Sequence, residues 1–178
     1  MKYFTAEIWA GWQGDDVAFE KARKKWDTNR ANYQRSLRRL TPRLGKLQGN
    51  FFTNHSLHDG RLLLFAVSDW PAGKSDWRTP PETRVELAVL AGTKKALIYK
   101  LTYKGVQEIS VQTKNDLFPL ECSRFGDWGY DELLPAGKLN FRHNILFQTG
   151  TEISIAFQRF RYTRTEASKP ELKRYTKC

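Results

Sequence analysis

The spacing of apolar residues changes once along this chain, near residue 60, and that change constrains the fold more than any other feature. Before it, Phe19, Ala22, Trp26, Tyr33, Leu37, Leu40, Leu44 and Leu47 step by three, four or seven residues. Such steps trace one stripe of a 3.6-residue helix. After it, Val85, Leu87 and Val89 alternate, then Leu97, Tyr99, Leu101 and Tyr103, then, after a stretch with Val106, Ile109 and Val111, Ile153, Ile155 and Phe157. Alternation at period two marks strands with one buried face. The links between several of these strands are tight turns such as Ala91-Gly92-Thr93-Lys94 and Lys104-Gly105. They leave no room for a helical crossover, so neighbours pair antiparallel. The expected fold class is α+β, with N-terminal helices packed on an antiparallel, meander-like β-sheet of six to seven strands.

The 178 residues include 24 aromatics (11 Phe, 7 Tyr, 6 Trp) and are 40% apolar, enough to build one core. A single α+β domain is expected over residues 1–163, helical over about 3–50 and sheet over about 61–163. A basic tail, 164–178, follows as a mobile end or a short helix. Phe4, Ile8 and Trp12, four apart, suggest a short opening helix. Gly14-Asp15-Asp16 then reads as a turn and helix cap. Thr41-Pro42 predicts either a kink or two helices meeting near residue 41. Arg61 to Asp69 is apolar on both parities, as in a central strand buried on both faces. Residues 70–82 hold three of the seven prolines and read as an exposed loop. Phe141–Gln148 and Thr151–Thr163 flank Thr149-Gly150 as a hairpin. The parity of buried residues flips between Phe157 and Phe160, which predicts a β-bulge or a switch of face near Gln158.

Charge is distributed unevenly. The net charge is +11, from 30 basic and 19 acidic residues. Residues 21–48 carry ten bases and only Asp27 against them, +9; residues 159–178 carry +5; the remainder is −3. A nearly neutral body therefore bears a basic helix and a basic end, which attract acidic surfaces and polyanions. No apolar run is long enough to cross a bilayer. The start of the chain lacks a secretion-signal core, and two cysteines, Cys122 and Cys178, do not make a disulfide scaffold. The expected location is cytoplasmic, without membrane association.

No phosphate-binding glycine loop, nucleophile elbow, CxxC pair or HExxH occurs, so no cofactor is expected. Cys122 has no neighbouring His to activate it. The most unusual stretch is His55-Ser56-Leu57-His58-Asp59-Gly60-Arg61. His55 and His58 have a spacing that chelates zinc, with Asp59 as a third ligand. Further acids and a third imidazole lie on later strands, Asp131, Glu132 and His143, and His58, Asp59, Glu132 and His143 could assemble a metal-dependent hydrolase site. The structural alternative is that His58 and Asp59 satisfy backbone groups where helix becomes strand, while Arg61 pairs with an acid such as Glu132. For binding, the basic helix offers Lys24, Lys25, Arg35, Arg38 and Arg39. Trp26 and Tyr33 lie on its apolar stripe, which makes them core rather than base-stacking groups. Trp70 and Trp77, in the Pro-rich loop, are candidate interface anchors.

Several segments are familiar in spelling and order: YFTAEIW, then Leu40-Thr41-Pro42-Arg43-Leu44, NHSLHDGRLL, LTYKGV, WGYDEL and FRHNILFQTGTEISIAFQRF. Over residues 3–162 the chain resembles the bacterial family known as domain of unknown function 4085. The matching positions are Tyr3, Phe4, Thr5, Trp9, His58, Asp59, Tyr130, Glu132, His143, Ile145, Leu146, Phe147, Glu152 and Phe157. The resemblance implies no activity; by fold-level analogy it points toward immunity-type proteins of toxin systems. The strong positive charge departs from that analogy, since a neutraliser of a nuclease would more naturally be acidic. Residues 164–178 fall outside the pattern. The leading expectation is a non-enzymatic interaction protein that binds an acidic protein partner, with toxin immunity or defence and counter-defence among the roles that fit. The alternatives are a nucleic-acid binder using helix 21–46 and the hydrolase above.

Overall fold

The computed structural model of the protein describes residues 1–70, 82–92, 95–113, 125–170 and 172. Three helices come first, α1 (Ala6–Gly11), α2 (Asp16–Leu44) and α3 (Lys46–Asn54). The Asp15 side chain caps α2 by accepting the Ala18 N–H at 2.8 Å. The helix runs through Pro42 and breaks instead at Gly45, where φ is +87°. A proline near a helix end costs one hydrogen bond, whereas a left-handed residue cannot continue the helix at all. Ala22, Tyr33, Leu37 and Leu40 are buried as the stripe predicts, with Trp26 and Leu44 packed against the core. Leu47 is exposed, because α3 restarts on a new axis and the count does not carry across Gly45.

Among the described residues eight strands follow: β1 (Gly60–Trp70), β2 (Glu82–Ala91), β3 (Leu97–Lys104), β4 (Glu108–Gln112), β5 (Asp127–Pro135), β6 (Phe141–Phe147), β7 (Glu152–Phe157) and β8 (Arg159–Glu166). They form one antiparallel sheet in the order β4-β7-β6-β5-β1-β2-β3-β8. The count exceeds the expected six to seven because the last long segment divides at Gln158 into β7 and β8. β8 also runs to Glu166, past the expected start of the tail.

The β3–β8 ladder, Leu97↔Glu166 to Lys104↔Arg159, continues into the β4–β7 ladder, Glu108↔Ala156 to Gln112↔Glu152. Backbone bonds from Gln158 N–H to the Lys104 carbonyl (3.1 Å) and from Gln107 N–H to the Ala156 carbonyl (2.9 Å) span the join. Gly105, at φ +61°, supplies the left-handed residue of a bulge. Two meanders, β1–β2–β3 and β5–β6–β7, thus share one long bent hairpin. The sheet curls strongly about it. In the strand order β3 and β6 lie four spacings apart, about 19 Å in a flat sheet. Yet Tyr103 Oη and His143 Nδ1 are 2.7 Å apart. Val85, Leu87, Val89, Leu101, Ile145, Ile153, Ile155 and Phe157 fill the enclosed core.

β1 departs from expectation. No residue from 61 to 69 is buried, and Leu64 and Val67 are 46% and 51% exposed. β1 meets β5 only at Gly60↔Trp128 and Arg61↔Asp127, then diverges. An apolar run alone cannot distinguish a central strand from one that loses a neighbour after two residues. α2 occupies the gap, where Tyr33 Oη accepts the Leu133 N–H at 3.0 Å on the edge β1 leaves. Phe51 and Phe52 of α3 pack on Phe160.

α1 lays Trp9 against Tyr130, ring centroids 4.9 Å apart, directly over Gly129. A Cβ at Gly129 would come within 2.1 Å of the Trp9 ring and 2.9 Å of the Leu146 carbonyl. Gly129→Ala is therefore expected to push α1 off the sheet and cost about 2–3 kcal/mol. Urea unfolding followed by tryptophan emission measures this; an unchanged midpoint would mean that Trp9 is not packed there.

Candidate functional site

A cleft of about 340 Å³ opens where α2, α3 and β5 meet, lined by Trp26, Arg30, Phe52, His55, His58 and Asp131. A register shift between Trp128 and Tyr130 sets which β5 side chains point inward. Asp131 then lies diagonal to His143 of β6, and its Oδ2 is 3.1 Å from His143 Nε2. Trp128 Nε1 donates to Asp131 Oδ1 at 3.1 Å. On its other side the imidazole meets Tyr103 Oη. Burial, then the Asp131 charge, push the Tyr103 phenol well above its ordinary range, so it keeps its proton. The network then assigns Tyr103 O–H as donor to Nδ1 and the Nε2–H as donor to Asp131. Tyr33 is shifted upward by the same two causes in the same order.

This chain of groups is satisfied internally. Both ring nitrogens of His143 are occupied and the residue is fully buried, so neither nitrogen is placed to take a proton from a bound molecule. The accessible end is Asp131, whose side chain is 25% exposed. The arrangement fixes a carboxylate in the lining of an aromatic-walled cleft and ties β3, β5 and β6 together through polar contacts.

The four hydrolase candidates do not converge. Glu132 pairs with Asn144, and Leu133 with His143, so Glu132 and His143 project from opposite faces of the β5–β6 ladder. Glu132 is buried and accepts the backbone N–H of Lys2, that of Tyr3 at 2.8 Å, and Asn144 Nδ2 at 3.1 Å. It holds the start of the chain rather than Arg61. His58 lies at the cleft rim, its Nδ1 2.9 Å from Asp59 Oδ1 and its ring stacked on Trp9. Asp59, at φ +61°, donates its N–H to the Trp128 carbonyl. His55 has left the helix, with extended backbone at the end of α3, and its Nε2 is 3.3 Å from Tyr162 Oη. Burial, then Arg164, hold its pKa below the usual value. Among the described residues no three His, Cys, Asp or Glu side chains are grouped to hold a metal, so His55, His58 and Asp59 do not form the proposed trio.

The basic helix keeps its charge. Lys24, Lys25, Arg35, Arg38 and Arg39 are all exposed along α2. Of the ten bases between residues 21 and 48, only Arg23 pairs with a carboxylate among the described residues, Glu20 at 3.0 Å. Arg35 donates to Asn32 Oδ1 at 2.6 Å. Arg43 donates to the Lys138 carbonyl and lies 5.0 Å over the Phe141 ring. Trp26 packs inward on Phe4 and Tyr130, and Tyr33 is buried, so neither aromatic shares the cationic face. The Trp70 side chain, Trp77, Cys122, Cys178 and the Pro-rich loop lie outside the described residues.

Sequence reasoning named Asp131 only as one acid among several and missed Tyr103, Trp128 and Lys2. The alternation that places Tyr103 inside is visible in the sequence, but the curl that brings it to His143 is not. Compared with protein-family models, curated proteins and solved structures, the chain matches none.

Proposed function

We propose that the protein is a non-enzymatic interaction protein whose α2 presents a cationic face to an acidic protein partner. One observation carries this reading: nine of the ten bases in residues 21–48 have no carboxylate partner among the described residues. Lys21, Lys24 and Lys25, and Arg35, Arg38 and Arg39, stand three or four residues apart, where like charges cost a helix about 0.2–0.5 kcal/mol per pair. Carboxylates from a partner would remove that repulsion and steer association. With Trp26 and Tyr33 turned inward, the cationic face offers no aromatic platform for unpaired bases, which favours protein over single-stranded nucleic acid. The dispersal of His58, Asp59, Glu132 and His143 weighs against the hydrolase. Neutralising a toxin or a phage component is one role such a surface serves.

The test is capture of partners from lysate by the wild type and by a Lys24→Glu/Lys25→Glu/Arg38→Glu variant, after nuclease digestion. The wild type is expected to retain an acidic protein, and the variant to lose it by tenfold or more, as two to three charged contacts of about 1 kcal/mol each would give. If nuclease alone strips everything bound, and binding falls steeply with salt, the target is nucleic acid instead.

A further inference from the structure

A second feature of α2 faces away from the cleft. A groove of about 650 Å³ runs between the helix and the start of the chain, bordered by Lys2, Asn32, Arg35, Ser36, Arg39 and Arg43, and among the described residues no acidic one lines it. We infer that an extended acidic segment of the partner lies in this groove, with every second side chain a carboxylate set against the row Arg35, Arg39 and Arg43. The inference rests on the acidic-partner reading and adds the conformation and charge spacing of what binds.

Spacing carries the argument. Arg35, Arg39 and Arg43 stand four residues apart, about 6 Å of helix rise per step. In an extended chain, side chains on one face recur every second residue, about 6.6–6.8 Å apart. The two periods stay in step over three contacts. The groove is open along its length, and among the described residues its lining sets Arg35, Arg39 and Arg43 against Lys2 with no carboxylate between them. An extended segment brings a carboxylate to each guanidinium in turn while its other side chains point out to solvent.

Its walls are also set in advance. Arg43 is held by the Phe141 ring and the Lys138 carbonyl. Arg35 is held by Asn32 Oδ1. Each guanidinium has five N–H donors, so both keep donors for a carboxylate. On the facing wall, Lys2 and Tyr3 are fixed through their backbone N–H groups to Glu132. Side chains ordered before binding lose less entropy on binding.

Three fluorescent probes test this on the full chain: a peptide alternating glutamate with serine, a peptide of the same composition with its glutamates in one block, and oligothymidylate. The alternating peptide is expected to bind about tenfold tighter than the blocked one. Arg43→Gln and Lys2→Gln should each weaken it severalfold, while Lys24→Glu/Lys25→Glu should leave the preference for alternation in place. Arg39→Gln, which gives up no internal contact described above, covers the case in which Arg43→Gln disturbs folding. Equal affinity for the two peptides, or tightest binding of oligothymidylate, overturns the inference. If the preference for alternation is absent while outer-face reversal still abolishes partner capture, the groove assignment falls and the acidic-partner reading stands.

Discussion

Glu132→Ala is expected to lower the free energy of unfolding by about 3 kcal/mol or more. The carboxylate is fully buried and accepts from the Lys2 and Tyr3 backbones and from Asn144. Alanine would strand two buried donors, Tyr3 N–H and Asn144 Nδ2, and free the part-buried Lys2 N–H, and each orphaned buried group costs about 1–3 kcal/mol. Some of that cost is recovered if the first residues lift away into solvent, so the figure lies toward the low end. Lifting them would also unseat Tyr3 and Phe4, which pack on Tyr33 at ring distances of 5.5 and 5.2 Å. Glu132→Gln keeps one acceptor oxygen and should lose about half as much. Urea titration gives both values; a shift in midpoint at constant slope locates the effect in the native state. An alanine variant within about 1 kcal/mol of wild type would mean that the contacts do not anchor the chain start. Because Lys2 forms one wall of the groove beside α2, the same variant should also weaken the alternating peptide.

Alkaline unfolding is the second large effect. Tyr33 and Tyr103 are buried, and burial followed by the Asp131 charge raises both phenols far above the ordinary value near 10. In the unfolded chain they titrate near 10; in the folded protein they hold their protons. Their contribution is fully present below pH 10 and is lost as pH rises beyond it, since the unfolded state then binds fewer protons than the native one. Two such groups give a slope approaching about 2.7 kcal/mol per pH unit once pH exceeds the unfolded value. Tyrosinate absorbance and circular dichroism, recorded together, should show these two phenols ionising only as the fold is lost. Ionisation of all seven tyrosines with the dichroism unchanged would contradict the buried network. Tyr103→Phe should reduce the slope by half, though it leaves His143 Nδ1 without its donor.

Much of the architecture is legible in local pattern, because helix and strand periods are local properties. The stripe on α2, the Asp15 cap and the division at Gln158 all follow from neighbours within a few residues. What the pattern hides is what distant segments do to one another. Arg61 to Asp69 reads as an interior strand, yet β1 has β5 beside it for only two residues. Thr41-Pro42 draws attention as a break, yet Gly45 makes it, since the decisive property is a backbone angle rather than a missing donor. His58, Asp59, Glu132 and His143 are suitable residue types for a hydrolytic site. One unit of strand parity separates Glu132 from His143, and no residue count could reveal that without the β5–β6 register. The cationic face is the most readable element of the candidate site, because the nine bases of α2 cannot all be neutralised by its three acids, Asp16, Glu20 and Asp27.

The bent hairpin shared by the two meanders has a consequence for how the protein is made. β7 and β8 leave the ribosome after every other strand, yet one completes β6 and β4 and the other completes β3. Until they arrive, only the two-residue β1–β5 pairing joins the halves of the sheet, and the aromatic faces of α2 and α3 have no finished surface to settle on. Synthesis therefore passes through a long interval in which most of the chain has emerged but little of the core is sealed. Closing the sheet then waits on pairings between residues more than fifty positions apart, such as Tyr103 with Phe160, the kind of non-local contact that slows folding.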